Sequence, residues 1–284
     1  MSLKVENLRY IYAPGTAFEH HTLNGVSFEI GEGEFVGIIG CTGSGKSTLI
    51  QHLNGLLRGT EGKVYFNGED IYAQGYDMKQ LRRKVGLVFQ YPEYQLFEID
   101  VLTDVKFGPK NQGLSDAEAE ERAKDALRAV GIEESDWKRS PFDLSGGQKR
   151  RVAIAGILAM QPEILILDEP TAGLDPQGRE EIFSMLSELH KKGKMSIVLV
   201  SHSMEDMARY ADRLLVIREG TIAFDGTPKE VFRHYKELEE IGLSAPQVTY
   251  IVQRLREKGW DLPEDIVTVE EACRAILAAR EGRR

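Results

Sequence analysis

At 284 residues the chain is long for one simple core and short for three, which points to one large domain with an appendage. Its composition, 42% hydrophobic and 29% charged, is ordinary for a globular protein and is enough to bury a real core. With 45 acidic against 36 basic residues the net charge is −9, which argues against a nucleic-acid binder, and Lys149-Arg150-Arg151 is too small a basic cluster to reverse that. The two cysteines, Cys41 and Cys273, lie far apart with no metal-type spacing and imply no disulfide framework, so a reducing cytoplasm is expected. The N-terminal MSLKVENLRYIYAP lacks the apolar stretch of a secretory signal. The most apolar runs, VAIAGILAM and SIVLV, fall far short of the roughly 18 residues a membrane span needs. The expectation is a protein that does not sit in a membrane but is free to sit on one.

In chain order, LKVENLRYIY and HTLNGVSFEIGEGE come first, the latter alternating and carrying turn glycines at Gly31 and Gly33. Together they predict an antiparallel edge sheet. Short apolar runs then alternate with helical patterns: FVGIIG (35–40), VGLVFQ (85–90), ILILDE (164–169), SIVLVSH (196–202) and RLLVIREG (213–220). Continuous rather than alternating hydrophobicity predicts strands buried on both faces, hence a mostly parallel sheet between helices. Between VGLVFQ and ILILDE lies a helical insertion, about 91–160, in which Ser115 with Glu118 makes a capping box and Gly131 stops the helix. From Gly226 the pattern becomes several short helices with Pro and Gly punctuation. The division expected is therefore 1–225 for the main domain and 226–284 for a helical extension.

The first strand run ends in Gly40-Cys41-Thr42-Gly43-Ser44-Gly45-Lys46-Ser47-Thr48, which fits G-x-x-x-x-G-K-[ST] and is followed by a helical pattern. The glycines permit a tight loop whose N–H groups turn inward on phosphate oxygens, and the helix N-terminus adds partial positive charge. Lys46 reaches the β- and γ-phosphates, and the Ser47 hydroxyl is placed to ligate Mg²⁺. The bland alternative, a glycine-rich turn with a chance lysine, does not explain the strand–loop–helix context. Cys41 occupies an unconstrained position, where an inert loop residue is expected over a reactive thiol.

The strand ILILDE ends in Asp168-Glu169, delivering one carboxylate toward Mg²⁺ and a second toward an attacking water. VLVSH ends in His202, whose imidazole either contacts the γ-phosphate, orients the water, or plays a plain surface role. Farther back, Ser145-Gly146-Gly147-Gln148 opens an apolar helix; the start is either an ordinary N-cap or a second anion-binding helix end.

The ordered set resembles the ATP-binding subunit of ABC transporters over residues 1 to about 225: GCTGSGKST, VFQ ending in Gln90, LSGGQ, ILILDEP, AGLD at 172–175, and SH at 201–202. The resemblance implies a P-loop ATPase fold with a mostly parallel core sheet, an antiparallel β subdomain and a helical insertion. It implies that Ser145, Gly146, Gly147 and Gln148 contact ATP held by a second ATPase subunit in a head-to-tail dimer. Glu169 becomes the general base, His202 the γ-phosphate switch, Asp168 a Mg²⁺-linked carboxylate, and Asp175 a cross-dimer contact. Tyr12 resembles the aromatic that stacks on adenine, with Phe18 as its rival.

VFQYPEYQLFEIDV, PFDLSGGQKRRVAIAGILAMQPEILILDEPTAGLDP and the C-terminal LEEIGLSAPQVTYIVQRLREKGW are similar to the ATPases of energy-coupling-factor importers. That resemblance implies partners in a transmembrane coupling protein and a substrate-capturing membrane protein, vitamins or cobalt and nickel ions as cargo, and a place on the cytoplasmic face of the membrane. The competing classes are an ordinary ABC importer ATPase, a soluble ATPase acting on nucleic acid or ribosomes, and a regulatory ATP-binding module. No coiled-coil insertion, tandem half or basic arm supports the second, and intact Glu169, Gln148 and His202 oppose the third. In the aromatic stretch, Gln90 is a neutral ligand able to join and leave the Mg²⁺ and water shell, and Pro92 restricts the turn. Tyr94, Gln95, Leu96 and Phe97 are expected to wall a groove for a partner helix; the alternative is that Leu96 and Phe97 only pack the helical insertion onto the sheet.

Overall fold

The computed structural model describes residues 2–193 and 195–281. Strands β1 (Leu3–Tyr12) and β2 (His20–Ile30) form the expected antiparallel pair, and β3 (Phe35–Ile39) leads through the glycine loop into α1 (Lys46–Leu53). Strands β4 (Glu61–Phe66) and β5 (Glu69–Asp70) widen the edge sheet to the order β2-β1-β4-β5. They were not apparent in the sequence because β4 buries only Val64 and Phe66, too few positions to display a pattern. Helix α2 (Met78–Lys84), capped by the Asp77 carboxylate, enters β6 (Val85–Val88).

The helical insertion contains α3 (Val101–Asn111), α4 (Asp116–Ala129) and α5 (Gly146–Leu158). Each start is set locally: Asp100 caps α3, and Ser115 with Glu118 closes a capping box on α4. The inner face of α4 is Ala119, Ala123, Ala126 and Leu127, the helical spacing that lets it lie close on its neighbours. The chain then returns through β7 (Ile164–Asp168), α6 (Pro176–Lys192), β8 (Ser196–Val200), α7 (Met204–Tyr210), β9 (Arg213–Arg218) and β10 (Thr221–Gly226). The large sheet has the order β10-β9-β3-β8-β7-β6, parallel throughout except for the antiparallel β9–β10 hairpin.

Alternation along these strands explains their unbroken hydrophobicity. Phe35, Leu165, Leu167, Ile197, Leu199, Leu214 and Val216 face a core shared with the helices. Val36, Ile38, Ile164, Ile166, Val198, Val200, Leu215 and Ile217 face a second core under the antiparallel sheet. Both faces are covered, as a parallel sheet requires.

Beyond β10 come α8 (Pro228–Arg233), α9 (Tyr235–Glu240), α10 (Gln247–Glu257) and α11 (Val269–Glu281). The helix-side core does not stop at residue 226: Val231, Phe232, Leu238, Leu243, Ala245 and Val267 belong to it. A small separate cluster of Val248, Val252, Leu262, Ile266 and Ala272 holds α10 and α11 together. Among the described residues, no helix is long and apolar enough to cross a membrane. Phe232 is fully buried in the main core, so Phe232→Ala should cost about 3–5 kcal/mol in chemical denaturation of the whole chain. A loss below about 1 kcal/mol would place α8 outside the cooperative core.

Candidate active site

The carboxyl ends of four adjacent strands meet at one edge, in the order β3, β8, β7, β6. They release, in turn, the glycine loop, Ser201-His202, Asp168-Glu169 and Phe89-Gln90. Neighbouring strands lie about 4.8 Å apart, so the packing of the sheet alone brings these groups within reach of one ligand. This is the usual ligand position of open α/β sheets.

The loop itself tolerates no side chain at two points. Gly45 has φ of 105°, and a methyl there would meet the Thr22 carbonyl oxygen at 2.8 Å. A Cβ on Gly40 would lie 2.4 Å from the Ile217 carbonyl oxygen. The Lys46 ammonium is buried and donates to the carbonyls of Gly40 and Cys41 at 2.7 and 3.0 Å. Burial pushes its pKa down, against the pull of the Glu169 and Asp168 charges. The hydroxyl of Ser44 is buried without a hydrogen-bond partner. A buried cation bonded only to neutral carbonyls, an orphaned hydroxyl and a glycine cradle together suit a phosphate. Cys41 is committed elsewhere: its S–H donates to the Ile241 carbonyl at 2.9 Å, tying the loop to the segment after α9.

Burial raises the pKa of Asp168, while the neighbouring Ser47 hydroxyl and the charges of Lys46 and His202 hold it down. Glu169 is left-handed, with φ of 49°, and turns its carboxylate toward His202, Nε2 to Oε1 being 3.3 Å. That approach lacks hydrogen-bond geometry, and the buried Oε1 has no partner. Burial, reinforced by the Asp168 charge, pushes the Glu169 carboxyl up to about 7, with the His202 backbone N–H, Lys46 and Arg179 opposing. Burial and Lys46 push the His202 pKa down. Among the described residues no cluster of three His, Cys, Asp or Glu side chains stands ready to hold a metal. Ser47, Asp168 and the amide of Gln90 are instead hard oxygen donors of the kind that bind Mg²⁺ jointly with nucleotide phosphates. The residues fit that ion.

Tyr12 stands over α1, its hydroxyl 3.3 Å from Thr48 Oγ1 and its ring edge-on to Tyr10 at 4.7 Å. With His20, Thr22, Gly43 and Lys46 it lines a cavity of about 250 Å³ beside the loop. Phe18, 85% exposed, takes no part in that lining. Thr42 and Gly43 are exposed at the rim.

The Ser145–Gln148 turn lies apart, on the helical insertion. Its capping box is closed, with Ser145 Oγ accepting from the Gln148 N–H and Gln148 Oε1 accepting from the Ser145 N–H, and Gln148 Nε2 donates to Asp136 at 3.2 Å. Ser145 and Gly146 are exposed, and nothing lies within 4 Å of where a Cβ on Gly146 or Gly147 would stand. The turn is therefore a closed N-cap with open space above its glycines. Asp175 is also a cap, accepting from the Gly178 N–H at 2.7 Å, and is exposed.

The aromatic stretch divides. Pro92–Gln95 forms a short 3-10 turn after a left-handed Tyr91, and Gln90 is exposed beside it. Gln95, Leu96 and Phe97 line a groove of about 610 Å³ together with Phe107, Met160, Lys79, Arg82 and Arg83. Leu96 is at the same time only 6% exposed in the helix-side core. Tyr94 is 85% exposed and stands outside the lining.

Two arginines near the site, Arg150 and Arg179, escaped the sequence pattern. In the sequence Arg150 is one of the basic cluster Lys149-Arg150-Arg151; in the structure it is 2% exposed and paired to Glu93. Its helical phase was the available signal, since Arg150 stands one turn before the buried Ile154. Arg179, bonded to Asp206 at 2.8 Å and to Ser203, contributes positive charge at Glu169.

The sequence model described as "ABC transporter" matches residues 23–172. An energy-coupling factor transporter ATP-binding protein EcfA2 of Caldanaerobacter subterraneus subsp. tengcongensis is 56% identical over 282 residues, covering 99% of each chain. Its counterpart from Clostridium perfringens is 54% identical over 278 residues, 98% of each. Among solved structures, cbiO1 from Clostridium perfringens, described as part of the ABC transporter complex cbiONQ, superposes with a TM-score of 0.75 at 40% identity, over 88% of this chain and 98% of that one. A dimeric post-hydrolysis state of the ATP-binding cassette MJ0796, bound to ADP and Pi, gives a TM-score of 0.70 at 32% identity, over 80% and 98%.

Lys46→Ala removes the buried cation. ATP affinity, measured by titration with a fluorescent analogue, should fall by at least about tenfold; unchanged affinity would count against the phosphate role of the loop.

Proposed function

The chain belongs to the ABC transporter family, and on that premise we propose that it is the ATP-binding, ATP-hydrolysing subunit that energises an importer of the energy-coupling factor type. The cargo class is vitamins or transition-metal ions, captured and passed through separate membrane subunits, with this chain on the cytoplasmic face. The observation that carries the catalytic part is the convergence of Lys46, Ser47, Asp168, Glu169 and His202 on one sheet edge. Identity of 56% over 99% of a chain named for that transporter type supports the transport part.

The division of work follows from the positions. Lys46 and the loop N–H groups bind the phosphates, and Tyr12 offers its ring to the adenine. Ser47, Asp168 and Gln90 would hold Mg²⁺, which would supply positive charge beside the γ-phosphate and favour the ionised form of nearby carboxylates. Glu169 is half-buried and its buried Oε1 has no hydrogen-bond partner, as a residue that positions and deprotonates water needs, and His202 stands 3.3 Å away to respond to the γ-phosphate. The exposed Ser145–Gln148 turn faces the nucleotide of a second ATPase subunit, the open space above Gly146 and Gly147 being what a phosphate would fill. Asp175, exposed at the start of α6, is assigned to contact the same second subunit. The groove walled by Gln95, Leu96 and Phe97 takes an amphipathic helix of the coupling protein, its lining supplying apolar side chains in Phe97, Phe107 and Met160 and basic ones in Lys79, Arg82 and Arg83.

Removing the base while keeping its shape tests the mechanism. Glu169→Gln should lower turnover by about 10²-fold or more while ATP affinity and ATP-dependent dimerisation persist in sedimentation. Turnover near the unmodified rate would sink the assignment. For the groove, Phe97→Ala with Phe107→Ala, both exposed in its lining, should leave the melting temperature and the ATPase of the isolated subunit intact but abolish copurification with the membrane partner. Destabilisation with normal assembly would instead assign these side chains to packing.

A further inference from the structure

Arg150 lies in α5, two residues after the exposed Ser145–Gln148 turn, and is among the largest fully buried side chains of the protein. Its guanidinium is used on two sides. Nε and Nη2 donate to the two carboxylate oxygens of Glu93 at 3.0 and 2.6 Å, a bidentate pair. Nη1 donates to the carbonyls of Pro170 and Ala172 at 3.0 and 2.7 Å. Glu93 belongs to the Pro92–Gln95 turn that follows Gln90 and leads into the groove; Pro170 and Ala172 belong to the turn that follows Glu169.

The two turns that Arg150 joins share a second property. Each begins with a non-glycine residue in the left-handed region, Tyr91 at φ of 56° and Glu169 at 49°. Such positions persist only where their surroundings over-determine them. The guanidinium also lies 5.9 Å from the centre of the Tyr91 ring. One side chain thus braces the backbone on both sides of the site.

A merely space-filling role is a poor account of this arrangement. A buried ion pair is seldom more stabilising than apolar side chains of the same volume. What a planar fork offers instead is fixed geometry toward four acceptors at once, which lysine cannot reproduce.

We infer that Arg150 is a positioning residue for hydrolysis: through Pro170 and Ala172 it sets where Glu169 stands, and through Glu93 it ties that setting to the turn beside the groove. This rests on Glu169 being the residue that acts on water. Arg150 itself touches neither the nucleotide loop nor Glu169's carboxylate, so its loss should appear in turnover and leave ATP binding alone.

The test compares Glu93→Gln, Arg150→Lys, Arg150→Gln and the double Glu93→Gln/Arg150→Gln in the full chain. For each, kcat and KM for ATP, ATP affinity and melting temperature are measured. Expected is a fall in kcat of about tenfold in Glu93→Gln, with KM and ATP affinity within about twofold and no rescue by Arg150→Lys. The double variant should be no slower than Arg150→Gln, because both changes break one link. Should the Arg150 variants fail to fold, Glu93→Gln, which keeps size and one acceptor, decides alone. Unchanged kcat in Glu93→Gln, or kcat and ATP affinity falling in step with melting temperature, overturns the inference. Glu169→Gln run alongside separates the two layers. If it is inactive while Glu93→Gln is normal, only the positioning role falls; if it is active, the base assignment falls and the positioning role with it.

Discussion

A parallel sheet covered on both faces has nowhere to place chemistry except its ends. Here the alternating residues of β3, β7, β8 and β9 are committed to one core or the other, so no strand face is free. The carboxyl edge is what remains, and strand order decides who meets whom there. Because β8 lies between β3 and β7, His202 falls between the phosphate loop and Glu169 without any long-range contact having to bring it there. The site inherits its rigidity from side chains that never touch a ligand, Ile38, Ile166 and Val198 among them.

The same burial shapes the electrostatics. Lys46 is pushed down and Glu169 up, each toward its neutral form, because neither is solvated nor paired with a good partner. Lys46 satisfies itself on two neutral carbonyls rather than on Asp168 or Glu169. A direct ion pair would have closed the site against phosphate. Keeping the charges close but unpaired leaves each available: the cation for an anion, and the carboxylates for a metal and a water. The cost is orphaned polar atoms, Ser44 Oγ and Glu169 Oε1, where a bound nucleotide and its water would supply the missing partners.

Residues whose role is local were legible in the sequence. The glycine loop, the strand-end acids, the capping box at Ser115 and the N-cap at Ser145 each carry their meaning within a few positions, and the structure has a strand, a loop or a cap at each. Strand β4 was not legible, since a strand that buries two residues leaves no periodicity to read. Nor was the closeness of α8 and α9 to the main core, because short amphipathic helices look alike whether they pack on a neighbour or on each other. Tyr12 against Phe18 was undecidable for a different reason. Both are aromatic residues near one turn, and only the β1 register puts Tyr12 over α1.

Arg150 shows most sharply why chain-local reading stops. In the sequence it is the middle of three cations, and three adjacent cations suggest a surface. In the helix the three point apart. Arg151 pairs with Glu181 on α6, while Arg150 turns inward beside Ile154, where a charge would be costly unless every donor were met. The acceptors that meet it are one carboxylate fifty-seven positions earlier and two backbone carbonyls about twenty positions later. Carbonyls have no sequence signature at all. A residue bound to them is visible only once the turn after Glu169 has been folded, and that turn is itself strained into a shape its residues do not prefer. The groups easiest to name from the chain are those that touch the ligand; the groups that hold them in place are written in backbone geometry.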